Sequence, residues 1–148
     1  MAVSTIAVVL MVGLFSAPPE SPGPPAGYVK IVTGAASILR GGAEMPAHPG
    51  DAVYKNDALR TGADGRFGVT LKDDTRISLG PNTEIRLSEF MFSPAEGQLG
   101  LVMRLLRGVV AFITGRIGEL RPDAVRIETP ATIVGIRGTH VVIQAEGP

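Results

Sequence analysis

The sequence has no cysteine and no tryptophan in its 148 residues. Without thiols there are no disulfides, thiolate nucleophiles, zinc knuckles or cysteinyl iron–sulfur clusters, and nothing to acylate on a lipoprotein route. That absence suits a reducing or an oxidising compartment equally. Aromatics are sparse, with two Tyr (Tyr28 and Tyr54) and five Phe. A glycan- or cell-wall-binding platform would have to be built from these few rings, and Phe90 and Phe92 share one strand parity. No excess of one charge exists either, since Lys plus Arg and Asp plus Glu each number 14. The 11 Arg and 3 Lys are scattered along the chain, so no nucleic-acid partner is indicated. A content of 45% hydrophobic and 19% charged residues argues against disorder.

Motifs that carry chemistry are missing too. Gly-x-Ser-x-Gly does not occur, and His48 and His140 belong to no His-x-His or His-x-x-x-His pair. Asp57 to Asp64 lacks the oxygen-donor spacing of a calcium loop. Glu84 and Glu89 differ in parity and face opposite ways on an unbroken strand, so a glycosidase pair could form only across the fold. Arg40-Gly41-Gly42 and Gly80-Pro81-Asn82 lead into no Lys-Ser/Thr, and read as turns needing positive φ rather than phosphate loops. The sequence therefore predicts no catalytic residue, no metal ligand set and no cofactor.

The N-terminus is informative. Ile6 to Phe15 is an apolar run of ten residues, an h-region length too short to cross a bilayer comfortably. Residues 1–17 read as a signal peptide or apolar targeting segment, cleaved after Ala17 or nearer Ala26, although no Lys or Arg precedes the run. A retained anchor and a buried strand are the alternatives. Residues 18–27 hold five prolines and two glycines and form a stiff linker. One domain, residues 28–148, follows. The expected mature form is exported, periplasmic or secreted, with no integral membrane span.

Within that domain the dominant period is two. Val29 and Ile31 alternate with Lys30, and Ala36 to Leu39 is a short run closed by Arg40-Gly41-Gly42. Phe67, Val69 and Leu71 alternate with Arg66, Gly68 and Thr70. Asp73-Asp74 makes a tight turn, Ile77 and Leu79 resume the alternation, and Ile85 and Leu87 follow Gly80-Pro81-Asn82 as a third strand of the same series. Leu99 to Ile113 is ambiguous. Gly100, Gly108 and the strand formers Val109 to Ile113 favour two strands, Leu101 to Leu106 and Val109 to Thr114, with a turn near Arg107-Gly108. Val125 to Glu128, Ile133 to Ile136 and Val141 to Ile143 complete the pattern. The expectation is an all-β domain of serial short strands and hairpins, a β-sandwich or a β-roll or β-helix-like stack.

The sharpest local feature is Thr129-Pro130 followed by Gly135-Ile136-Arg137-Gly138-Thr139. Two glycines bracket an apolar side chain and a guanidinium. Arg137 either orders the end of the sheet with a carboxylate such as Glu128 or touches a protein or anionic ligand. Together with Gly50-Asp51-Ala52-Val53-Tyr54, Asp57-Ala58-Leu59-Arg60-Thr61-Gly62, Leu71-Lys72-Asp73-Asp74-Thr75-Arg76 and Leu79-Gly80-Pro81-Asn82-Thr83-Glu84, in that order, this ending resembles the FecR-like domain of bacterial envelope proteins, over most of residues 27–143. The resemblance implies a periplasmic, strand-built module without enzymatic activity. In the namesake proteins it belongs to a transducer linking an outer-membrane iron-siderophore receptor to a sigma factor. The expected role is a structural or interaction domain that binds another envelope protein. A glycan-binding module and part of an anti-sigma signal transducer are the alternatives. Asp73, Asp74, Gly135, Ile136, Arg137, Gly138 and Thr139 are the residues expected to shape or contact the interaction surface, with strand addition at a sheet edge as the mode.

Overall fold

The computed structural model describes residues 23–136 and 140–146. The expected targeting segment and the first half of the linker therefore lie outside the described residues, as do Arg137, Gly138 and Thr139. The packed fold takes in residues just before Tyr28: Ala26 is buried and donates its N–H to the Val53 carbonyl at 2.7 Å.

Alternating apolar residues bury one face of each strand and assemble them into one mostly antiparallel sheet, curled into half a barrel. In chain order the strands begin with β1 (Gly27–Thr33), β2 (Ala36–Arg40), β3 (Ala43–Pro46), β4 (Ala52–Val53), β5 (Ala58–Thr61) and β6 (Arg66–Leu71). They continue with β7 (Arg76–Leu79), β8 (Glu84–Ser93), β9 (Gln98–Ile113), β10 (Val125–Glu128), β11 (Ile133–Gly135) and β12 (His140–Ala145). One short α-helix, α1 (Arg116–Leu120), followed by a 3-10 turn at Pro122–Ala124, lies between β9 and β10. The all-β expectation is met.

The organising element is β9. Its first half pairs with β8 on one side and, in parallel, with β10 on the other. Its second half pairs with β7 and β12. One strand thus belongs to both layers, and the core (Phe67, Phe112, Leu59, Leu101, Leu105 and Ile127 among its most buried members) fills the curl between them. The predicted break into two strands does not occur. Gly108 adopts φ +92° and bends the strand instead of ending it. A glycine there reads locally like a turn, but here the strand continues through the bend and exchanges β8 and β10 for β7 and β12 as partners.

The serial order of the three central strands also needs correction. β6 and β7 form the expected hairpin, whereas β8 leaves for the other layer and pairs with β5 and β9. The crossing segment is fastened to the bend in β9. Gly80 N–H donates to the Val109 carbonyl at 3.0 Å, and the Thr83 hydroxyl accepts from Val109 N–H at 3.0 Å. The Thr61 hydroxyl, buried beside it, donates to the Gly80 carbonyl at 2.6 Å. Polar side chains in this corner satisfy the backbone groups that the change of layer takes out of the ladder.

A register shift between Leu87 and Glu89 marks a bulge at Ser88. It resets the parity, so Glu84 and Glu89 lie on the same face, contrary to the unbroken-strand expectation.

Candidate interaction site

The Asp73-Asp74 pair splits into two roles. Both sit in the β6–β7 hairpin, where Asp74 takes φ +68° and is exposed. Asp73 is fully buried. Its carboxylate accepts from the Thr75 N–H at 3.1 Å, the Thr75 hydroxyl at 2.7 Å and the Ile117 N–H at 3.2 Å. Its carbonyl accepts from the Arg116 N–H at 2.7 Å. Gly115, at the N-cap of α1, has no side chain to bond the first-turn amides, and Asp73 supplies that acceptor from another strand. Ile117 anchors the helix from below, with no exposed surface.

On the far side of α1 the half-barrel is open. A groove of about 1030 Å³ lies between the β10–β11 hairpin and β12, lined by Gly118 and Pro122, by Ile133, Gly135, Ile136 and Val141, and by the charged Asp123 and Arg126. The structure therefore brings part of the predicted set together: Gly135 and Ile136 line the groove directly, and Asp73 touches it only through the helix it holds. Ile136 is buried, while Ile133 is 63% exposed at the rim. Among the described residues, β11 pairs only with β10 and β12 only with β9. Two strand edges thus flank a groove of mixed apolar and charged lining.

Two ionic clusters escaped the reading of the sequence, because their partners lie far apart in the chain. Arg40 grips Asp57 with Nε to Oδ1 at 2.9 Å and a second guanidinium nitrogen to Oδ2 at 2.7 Å. Its guanidinium also lies 4.5 Å above the Tyr54 ring, and the hydrogen bond to Asp57 raises its pKa further above the usual arginine value. Asp57 itself is 1% exposed. Arg60 reaches Glu84 at 2.6 Å and Glu44 at 3.4 Å, and the Glu84 bond likewise raises its pKa. A second groove, of about 850 Å³, is walled in part by Ser37, Glu44 and Arg60, which are already bonded among themselves. The only sequence signal for either cluster was a lone Arg at the end of a strand.

Phe90 and Phe92 pack against the core, whereas Tyr28 is 41% exposed. His140 is exposed at the start of β12, and no group of three or more His, Asp or Glu side chains among the described residues is placed to hold a metal ion.

Comparison with known proteins adds one finding. The sequence model of a family described as FecR protein matches residues 57–148. No curated protein and no solved structure matches the chain.

Proposed function

The chain belongs to the FecR protein family, and from that premise we propose that it is a non-enzymatic interaction domain of the bacterial envelope, exported to the periplasm or beyond, whose partner is another envelope protein. The observation that supports this reading is the groove between two strand edges, whose lining joins apolar side chains such as Ile133, Ile136 and Val141 to Asp123 and Arg126. Such an edge offers unpaired backbone donors and acceptors, and a strand laid along it gains a ladder while its apolar side chains fill the groove. Among the described residues the titratable groups lining the groove are Asp123 and Arg126. In this reading Gly135 and Ile136 frame the site, and Asp73 sets its helical wall. Arg137, Gly138 and Thr139, which join β11 to β12 in sequence, contact the partner.

The test is a photo-crosslinking residue placed at Ile133 in the full chain in living cells, with Ile31 as a control on a distant face. The expected result is a crosslink from Ile133, absent from Ile31, to an extended segment of an exported protein, with a processed N-terminus on the bait. Recovery of the chain solely from the cytosol and unprocessed, or equal crosslinking at both positions, overturns the proposal.

A further inference from the structure

Among the described residues four strands pair with only one other strand, and three of these are protected. β3 is exposed along its whole length but carries Glu44 and Pro46. β4 has two residues and β11 three, too few for an added ladder without further contacts, which for β11 the groove beside it supplies. β12 differs. It offers six residues in unbroken register with β9, and none is charged or proline. Val142, on its outer face, is 67% exposed. Soluble proteins blunt their edges with charge, proline, bulges or shortness, and β12 has none of these.

We propose that this edge pairs with the same edge of a second copy of the chain, antiparallel, about a two-fold axis at Val142. That axis sets His140 opposite Gln144, Val141 opposite Ile143, and Val142 opposite itself. Residues directly opposed in an antiparallel pair point to the same face. The polar His140–Gln144 pairs and the Val142 pair then lie on the outer face, and the Val141–Ile143 pairs lie on the inner face toward the core, matching the alternation of exposure along β12. No pair opposes like charges, and the exposed β-branched Val142 gains a β-branched neighbour. A strand matched to its own reverse is what an isologous two-fold contact needs. Five residue pairs make a small interface, so the dimer is weak, with a dissociation constant on the order of 10–100 µM. This inference needs neither export nor an envelope partner.

The test uses the purified full chain. Sedimentation across a concentration series should show a monomer–dimer equilibrium for the natural sequence. Val142→Lys, which opposes two ammonium groups at the axis, should weaken the dimer at least tenfold while leaving the unfolding transition in place. The absence of any cysteine allows an independent check. Under mild oxidation Val142→Cys should form a disulfide dimer at least tenfold faster than Ile31→Cys. A natural chain that stays monomeric at several hundred micromolar, a dimer that survives Val142→Lys, or equal crosslinking of the two cysteine variants would each overturn the proposal. A monomer whose Val142 edge takes only a different protein's strand overturns it as well.

Discussion

At Asp73 a buried carboxylate receives three hydrogen bonds from neutral donors, two from Thr75 and one from the first turn of α1. Removing it as Asp73→Ala strands those donors away from water, at a cost of about 2–4 kcal/mol. Beyond that loss, the amides of Gly115 to Ile117 should exchange with solvent faster than the rest of the fold, measured by hydrogen exchange. Its neighbour behaves differently. Asp74 is exposed with φ +68°, so Asp74→Gly removes left-handed strain and should leave stability unchanged or raise it by up to about 1 kcal/mol in chemical denaturation. The doublet was visible in the sequence as a turn, but nothing local distinguished the buried carboxylate from the exposed one, because the helix that selects Asp73 lies more than forty positions later. Arg40 offers a second test. Its side chain is 33% exposed while that of Asp57 is 2% exposed, so Arg40→Ala leaves a buried carboxylate short of its main partner. Discounted for that solvent access, the loss should be about 2 kcal/mol, and Arg40→Lys should recover only part of it because one ammonium cannot replace the paired guanidinium contacts.

Among the elements, β9 decides the architecture, and Gly108 decides β9. A Cβ at this position would stand 2.6 Å from the Thr83 Cα and 2.7 Å from the Asn82 carbonyl oxygen, on a backbone at φ +92°. Gly108→Ala should therefore cost at least about 3 kcal/mol or prevent folding. Gly97→Ala is the control, since that residue has φ +68° with no neighbour within 4 Å, and its cost should stay near 1 kcal/mol. Thermal unfolding of the two variants side by side separates crowding from backbone strain. The same glycine explains where reading the sequence stopped. Alternation in Phe67 to Leu71, Ile77 and Leu79, and Val125 and Ile127 correctly marked which side chains face the core, because a period of two reports burial on one face. It carries no information on which strand lies alongside. Gly108 was legible as a backbone exception, and only the contacts of Thr83 with Val109 turn that exception into a bend rather than a reversal. Likewise, the bulge at Ser88 leaves no trace in composition, yet it moves Glu89 onto the face of Glu84.

In the molecule as a whole, the family match begins at Asp57, but the fold does not. β1 lies between β6 and β4, and β2 between β5 and β3. Val29, Ile38 and Val53, all before position 57, are each no more than 2% exposed in the same core as Phe67 and Leu59. Burying each such side chain is worth about 1.5–3 kcal/mol, and the three together are comparable with the whole margin of a small domain, about 5–15 kcal/mol. A chain begun at Asp57 would also expose the paired sides of β5 and β6 and leave Asp57 without Arg40. It should show no cooperative unfolding transition and a collapsed amide proton spectrum, whereas a chain begun at Gly23 should unfold at the temperature of the full sequence. If the shorter piece folded cooperatively, the curl around β9 would be self-sufficient, and the first four strands would be an addition to the domain rather than part of its core.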